Sequence, residues 1–163
     1  MKVISGGQTG ADRAGLDAAR ACGLATGGYA PSNFWTERGS DPSLKALGLQ
    51  AGGSLVWRTE RNVVSSDASV VFQVRSSPGS NMTVALAARC GKPRVVLNPW
   101  EAHAEAELSH FLKTYRPSIL NIAGHRESKA PGIYHQVYRL LVKVLWSVAG
   151  QGEARVGPAH AQR

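Results

Sequence analysis

The sequence of 163 residues has only two cysteines, Cys22 and Cys90, and no long hydrophobic run. Two cysteines cannot form a disulfide framework, and their spacing matches no zinc-binding pattern. The longest apolar stretch, residues 140–148, is interrupted by Lys143 and falls well short of the ~20 residues that a transmembrane helix needs. The first residues also lack the charged and apolar regions of a signal peptide. These absences predict a cytoplasmic protein with no membrane partner and no protein-ligated metal.

Acidic residues are scarce as well, with 11 Asp and Glu against 19 Lys and Arg, which gives a net charge of +8. The positive charges are scattered singly and form neither a run nor a helix stripe, which argues against nucleic acid as a partner. A diffuse basic surface raises the local concentration of small anions instead. The charge therefore favours a phosphorylated small-molecule ligand.

Strand-like and helix-like segments alternate along the chain. Apolar runs predict strands at residues 2–5, 25–29, 68–74, 94–98 and 118–123. Helical periodicity predicts helices between most of these strands and after the last one, including one from Met82 to Cys90. Residues 30–53 are rich in Gly, Pro and Ser and predict a long excursion, a kind of segment that is usually functional or mobile.

This alternation predicts an α/β fold, a Rossmann-like three-layer α/β/α sandwich with a mainly parallel sheet of about five strands. We expect one ligand-binding domain at residues 1–149 and a disordered tail at 150–163. Ligands in such folds bind at the carboxyl ends of the strands, where the strand order reverses. Three polar turns of this sequence lie at such strand ends.

The first turn is Gly6-Gly7-Gln8-Thr9-Gly10. Glycines allow backbone N–H groups to close around phosphate oxygens, and the following helix adds the positive end of its dipole. The turn matches neither the GxGxxG dinucleotide fingerprint nor the Walker lysine loop. On spacing alone, a plain tight turn between strand and helix is the alternative.

The second turn spans residues 77–83, and its hydroxyl groups could donate to a phosphate or simply cap the next helix. The third turn follows the strand at 118–123. Its Arg126 suits bidentate phosphate contact, or it could form an ion pair with Glu127. His125 lies in the same turn, where we expect it to be exposed to solvent. Arg58 lies between predicted elements and could face the site or cap a helix.

Four blocks of the sequence together resemble the putative molybdenum carrier family. They lie in order at residues 5–14, 58–67, 77–83 and 120–133, and the resemblance runs from residue 1 to about residue 148. That family is similar to a larger Rossmann-like superfamily, which includes molybdenum cofactor carrier proteins and the lonely-guy phosphoribohydrolases. The resemblance implies a pocket for a pterin or nucleotide phosphate, with the molybdenum cofactor (molybdopterin) as a candidate ligand, and assembly as a homo-oligomer.

The residue types and the resemblance together give eighteen candidate ligand-binding residues. They are Gly6, Gly7, Gln8, Thr9, Gly10, Asp12, Arg13, Arg58, Thr59, Asn62, Ser77, Gly79, Ser80, Thr83, Asn121, Gly124, Arg126 and Glu127.

One departure from the superfamily pattern bears on activity. The phosphoribohydrolases carry Pro-Gly-Gly-x-Gly-Thr-x-x-Glu, whose glutamate serves N-glycosidic cleavage, and Leu86 stands at that glutamate position here. Leucine cannot transfer a proton, so we favour a non-enzymatic carrier or sensor and assign no catalytic residue. The alternative is a nucleotide-processing hydrolase that uses another acid, for which Glu60, Asp67 and Glu127 are the candidates.

Overall fold

The computed structural model describes residues 1–153. Its strands are β1 (Lys2–Ile4), β2 (Ala25–Ala30), β3 (Trp35–Thr36), β4 (Gly39–Ser40), β5 (Leu49–Ala51), β6 (Ala68–Phe72), β7 (Arg94–Leu97) and β8 (Ile119–Gly124). Six of them form one parallel sheet, whereas β3 and β4 form a separate antiparallel hairpin. The predicted α/β fold is confirmed, with one strand more in the sheet than the five expected.

Six helices accompany the strands. They are α1 (Ala11–Ala21), α2 (Ser43–Ala46), α3 (Leu55–Ser65), α4 (Pro78–Arg89), α5 (Ala104–Tyr115) and α6 (Ile133–Glu153). Helix α6 packs against α1 and α5 on one face of the sheet, and α3 packs against α4 on the other. These contacts produce the expected three layers. None of the helices in the described part of the chain combines the length and the apolar character that a membrane span requires.

The order of strands in the sheet is β5-β2-β1-β8-β6-β7. The chain leaves β1 through α1 toward β2, and it leaves β6 through α4 toward β7, which lies in the opposite direction. The order therefore reverses between β1 and β6, and β8 ends between them. Such a reversal opens a crevice at the carboxyl ends of the strands. The three polar turns follow these three strands and so meet at this crevice.

The core between the sheet and α1 depends on small side chains. Ala11, Ala14 and Ala18 are fully buried, and a Cβ atom at Gly15 would lie 2.7 Å from the Ile122 Cβ. Helix α1 can therefore lie close against β8. Apolar residues of α6 cover the other side of α1, and β6 is buried at every position, as is usual for a central parallel strand.

The structure differs from the expected elements in three places. The excursion at residues 30–53 contains the β3–β4 hairpin, α2 and the additional strand β5. Helix α4 begins at Pro78 rather than at Met82, because proline fits the first helical position and the Ser77 Oγ accepts a hydrogen bond from the Ser80 N–H at 3.3 Å. Helix α6 continues through Glu153, past the expected domain boundary at 149, and residues 154–163 of the expected tail lie outside the described residues.

Candidate anion-binding site

A cavity of about 380 Å³ lies at the crevice between the three turns. Thirteen of the eighteen candidate residues line it: Gly6, Gln8, Asp12, Arg58, Thr59, Asn62, Ser77, Gly79, Ser80, Thr83, Asn121, Gly124 and Arg126. Sequence reasoning missed three further residues of the lining that carry ring nitrogen or positive charge, Arg75, His125 and Lys129. Arg75 and Lys129 could have been found as the basic residues that flank the second and third turns. We call this space the anion cavity.

Four buried polar atoms of residues that line the anion cavity have no hydrogen-bond partner within residues 1–153. They are Gln8 Nε2, Arg58 Nε, Ser80 Oγ and His125 Nε2. Elsewhere in the described chain, only Gln73 Oε1 shares this condition. An unpaired buried polar group costs about 1–3 kcal/mol, so groups of this kind are rare and call for an explanation. Their concentration around one cavity points to a polar ligand.

The charges around the anion cavity are mostly positive. Four cations line it, Arg58, Arg75, Arg126 and Lys129, and Asp12 is the only carboxylate in its lining among the described residues. Arg58 Nη1 lies 2.9 Å from Asp12 Oδ2, so these two charges balance each other. The other three cations form no ion pair within residues 1–153. The cavity is therefore suited to an anion with more than one negative charge.

Most backbone N–H groups of the first turn are already hydrogen-bonded to acceptors within the protein. Four N–H groups at this turn donate to protein acceptors: Gly7 to Ser5 Oγ at 3.2 Å, Gln8 to Asp12 Oδ2 at 3.3 Å, Thr9 to Gln8 Oε1 at 3.0 Å and Ala11 to the His125 carbonyl at 3.1 Å. The glycines of this turn instead let other side chains pack close to its backbone. A Cβ atom at Gly6, for example, would overlap the Arg58 guanidinium. The turn thus positions the neighbouring side chains of the cavity.

Asp12 is part of this internal bonding. Burial raises the pKa of Asp12, although the Arg58 charge and the Gln8 N–H act in the opposite direction. Its carboxylate fixes both the turn and Arg58. We infer a structural role for Asp12, with Arg58 held at the cavity wall.

The N-terminus of α4 forms another part of the cavity wall. Ser77, Gly79, Ser80 and Thr83 all line the cavity from the start of this helix. The first turn of α4 contains no acidic residue, so no negative side chain competes there for the positive end of the helix dipole. The buried Ser80 Oγ has no hydrogen-bond partner among the described residues.

The two adjacent charged residues of the third turn, Arg126 and Glu127, have different contacts. The Glu127 carboxylate accepts hydrogen bonds from the Gly132 N–H at 2.6 Å and the Tyr134 N–H at 3.0 Å, at the start of α6. No ion pair forms between Glu127 and Arg126 in the described structure. Arg126 therefore remains available to a ligand, whereas Glu127 stabilises a helix end.

His125 is buried, so the expectation of a solvent-exposed position is wrong. Its exposed fraction is 3%. The third turn folds back over the first, which brings the imidazole into the lining of the anion cavity. Burial and then the positive charge of Arg75 lower the pKa of His125, against a smaller effect of a hydrogen bond with the Arg75 backbone.

Two amide side chains of the lining hold neighbouring strands in place. The Asn62 side chain accepts from the Tyr29 N–H and donates to the Tyr29 carbonyl, both at 3.0 Å. The Asn121 Nδ2 donates to Ser69 Oγ at 3.1 Å, between β8 and β6. These residues line the cavity, but their hydrogen bonds within residues 1–153 serve the fold.

A second, larger cavity of about 550 Å³ lies on the other side of the first turn. The remaining five candidates line it: Gly7, Thr9, Gly10, Arg13 and Glu127. Its polar groups bind one another, since Arg13 contacts Asp17 and Asp41 at 3.0 Å each and the Tyr134 hydroxyl donates to Asp17 at 2.6 Å. None of the buried atoms without a partner belongs to this lining. We therefore regard the smaller cavity as the candidate site.

Two of the three acids of the alternative hydrolase interpretation, Asp67 and Glu60, lie away from the anion cavity, and the third, Glu127, is bonded to the start of α6. Asp67 precedes β6, at the opposite end of the sheet, and its carboxylate accepts from the Ile119 N–H at 2.8 Å. Glu60 is exposed on α3, and neither it nor Leu86 lines the cavity. The geometry gives no support to catalysis by these residues.

The chain is similar to known proteins over most of its length. Residues 3–145 match the model of the circularly permutated YpsA SLOG family. The chain is also similar to the crystal structure of a protein named "Putative molybdenum carrier protein" from Syntrophus aciditrophicus SB, with 33% identity and a TM-score of 0.80. That match covers 88% of this chain and 93% of the other. No curated protein matches the chain.

Proposed function

The chain belongs to the circularly permutated YpsA SLOG family, and on that premise we propose that it binds a phosphorylated small molecule as a carrier or sensor. One observation carries the proposal: four buried polar atoms without partners and three cations without ion pairs surround a single cavity. A bound phosphate would give hydrogen-bond partners to several of these groups at once. The N-terminus of α4 would add its dipole.

The name of the similar crystal structure supports the molybdenum cofactor as the first ligand to test, followed by other pterins and by nucleotides. In the cofactor, the dithiolene sulfurs of the pterin hold the metal. Binding would therefore proceed through the phosphate, with Arg75, Arg126, Lys129 and Ser80 as its contacts. Residues 1–153 contain no group of three or more His, Cys, Asp or Glu placed to hold a metal ion, and this mode of binding requires none.

Isothermal titration calorimetry at fixed salt tests the proposal with the molybdenum cofactor, free pterins and a set of nucleotides. We expect saturable binding by at least one phosphorylated compound and none by its dephosphorylated counterpart. Absence of binding across the whole set would refute the carrier interpretation. Release of free base from a nucleoside monophosphate would favour the hydrolase instead.

The variant Arg126→Gln tests the position of the phosphate. It removes a charge from the anion cavity, so we expect the affinity for the phosphorylated ligand to fall at least about tenfold, since a hydrogen bond to a charged group contributes about 1.5–3 kcal/mol. The matched control is Arg94→Gln, which removes the same charge from an exposed position on β7 and should leave affinity nearly unchanged. Equal affinities of the two variants would place the phosphate elsewhere.

A further inference from the structure

The imidazole of His125 has a nitrogen that the protein leaves unpaired. Its Nε2 atom is buried without a hydrogen-bond partner among the described residues, and His125 is part of the lining of the anion cavity. A neutral imidazole carries one proton on its two nitrogens and so has one lone pair, whereas the charged ring donates from both nitrogens. The backbone of His125 is fixed on both sides, because its N–H donates to the Phe72 carbonyl at 3.0 Å and its carbonyl accepts from Ala11.

The charges near His125 come from every element around the anion cavity. They are Asp12 on α1, Arg58 on α3, Arg75 after β6, and Arg126, Glu127 and Lys129 after β8. Arg58 balances Asp12, and Glu127 binds the start of α6. The remaining charge is positive, and it disfavours a further positive charge on the ring as long as no anion is present.

A tetrahedral oxyanion in this cavity has oxygens that only accept hydrogen bonds, so its contact with His125 Nε2 is repulsive unless a proton lies between the two atoms. Its negative charge also offsets the positive charges that disfavour the charged ring. We propose that His125 Nε2 takes up one proton from solvent when a tetrahedral oxyanion occupies the anion cavity, and then donates a hydrogen bond to it. No bond within the anion changes. The inference rests on the proposed function, because it requires an anion in this cavity, and it adds that occupancy and protonation are coupled.

Coupling of this kind makes anion affinity depend on pH. Above the pKa of the ring, each protein–anion complex must take up a proton from solvent. The proton concentration falls as pH rises, so the affinity for the anion falls as well. The anion in turn favours the charged ring and raises the pH at which His125 titrates. A dianion gains more from this contact than a monoanion, which favours phosphomonoesters over phosphodiesters.

NMR titration of the histidine ring protons of the whole protein provides the test. Spectra are recorded in sodium sulfate and in sodium chloride of the same ionic strength. Sulfate is the probe because it does not titrate near neutral pH, so that any proton taken up resides on the protein. We expect sulfate to raise the titration midpoint of His125 by at least about one pH unit, the usual effect of an adjacent opposite charge. His135, exposed beside the second cavity, should keep its midpoint.

The variant His125→Gln assigns the resonance and supplies a second measurement, since glutamine can donate a hydrogen bond without titrating. Sulfate affinity of this variant should not vary with pH near neutrality, whereas that of the unaltered protein should fall as pH rises. Identical midpoints of His125 in the two salts would overturn the inference, even if a phosphorylated ligand binds. If sulfate raises the midpoint of His125 but calorimetry detects no binding of any phosphorylated compound, the proton coupling stands and the carrier function is refuted.

Discussion

Gly10 shows how closely the first and third turns approach each other. Its φ is +79°, a backbone conformation that residues with a side chain rarely adopt. A Cβ atom there would also overlap the His125 carbonyl and lie 2.7 Å from the Glu127 backbone nitrogen. Only glycine satisfies both the backbone conformation and the available space. The wall between the two cavities therefore depends on this residue.

The variant Gly10→Ala should destabilise the protein more than Gly23→Ala does. Gly23 has a φ of +72°, but a Cβ there would have no atom within 4 Å. We expect Gly23→Ala to lower the free energy of unfolding by about 1–2 kcal/mol, from backbone conformation alone. Gly10→Ala adds the overlap with the third turn and should lose clearly more. Urea unfolding of both variants measures the difference, and equal losses would show that the turns can separate at no cost.

The glycines also show what a sequence can and cannot predict about individual residues. The pattern from Gly6 to Gly10 correctly located the turn at the crevice, because glycine followed by a helix is a strong local signal. It predicted amides around a phosphate, whereas the structure gives several of those amides to protein acceptors. Three of those acceptors lie within four residues of their donors, whereas the His125 carbonyl that accepts from the Ala11 N–H is distant in sequence. No local pattern could have paired Ala11 with His125.

At the scale of elements, the β3–β4 hairpin is attached to the site through Glu37. Its carboxylate accepts hydrogen bonds from the Thr9 hydroxyl and from the hydroxyl and N–H of Ser128, and its own N–H donates to Gln8 Oε1 at 2.9 Å. Burial raises the pKa of Glu37, but the hydrogen bonds from Ser128 and Thr9 outweigh that effect and the pKa is lowered. One carboxylate thus joins the hairpin to the first and third turns.

The variant Glu37→Gln should destabilise the protein in a pH-dependent manner. A carboxylate whose folded pKa lies below its ordinary value of 4.5 stabilises the fold above that pH, and this contribution is lost as pH falls below it. We expect the variant to lose about 1–3 kcal/mol at neutral pH and progressively less in acid. Chemical unfolding across this pH range measures the effect, with exposed Glu60→Gln as the matched control. A loss that does not vary with pH would assign the effect to packing.

Elements with a long periodic pattern were predictable, and short ones were not. Helix α1 and strand β6 follow from regular spacing and apolar runs. Strand β5 has three residues and the hairpin strands have two each. Segments this short cannot show an alternation of apolar and polar residues. These short elements exist because neighbours hold them, β5 by pairing with β2 and the hairpin through Glu37. Such tertiary support leaves no trace in the local sequence.

At the scale of the whole molecule, we expect the chain to form a homo-oligomer through α6. Trp146 on this helix is 65% exposed, the largest exposure among the bulky apolar residues described. Analytical ultracentrifugation should therefore detect an assembly that Trp146→Ser weakens. The matched control is Trp35→Ser, since Trp35 is 42% exposed on the hairpin. A monomer at every concentration, or equal effects of both variants, would contradict an interface on α6.

The sheet order has a consequence for the synthesis of this protein. Strand β1 lies between β2 and β8, and α1 is covered by α6. A ribosome releases residues 2–4 long before residues 119–124, so a nascent chain cannot complete its central strand pairing while β8 is still inside the exit tunnel. Pairing between such distant segments is also slow, because a long loop must close first. The third turn emerges after β8, so ligand binding can begin only when translation of the domain is nearly finished.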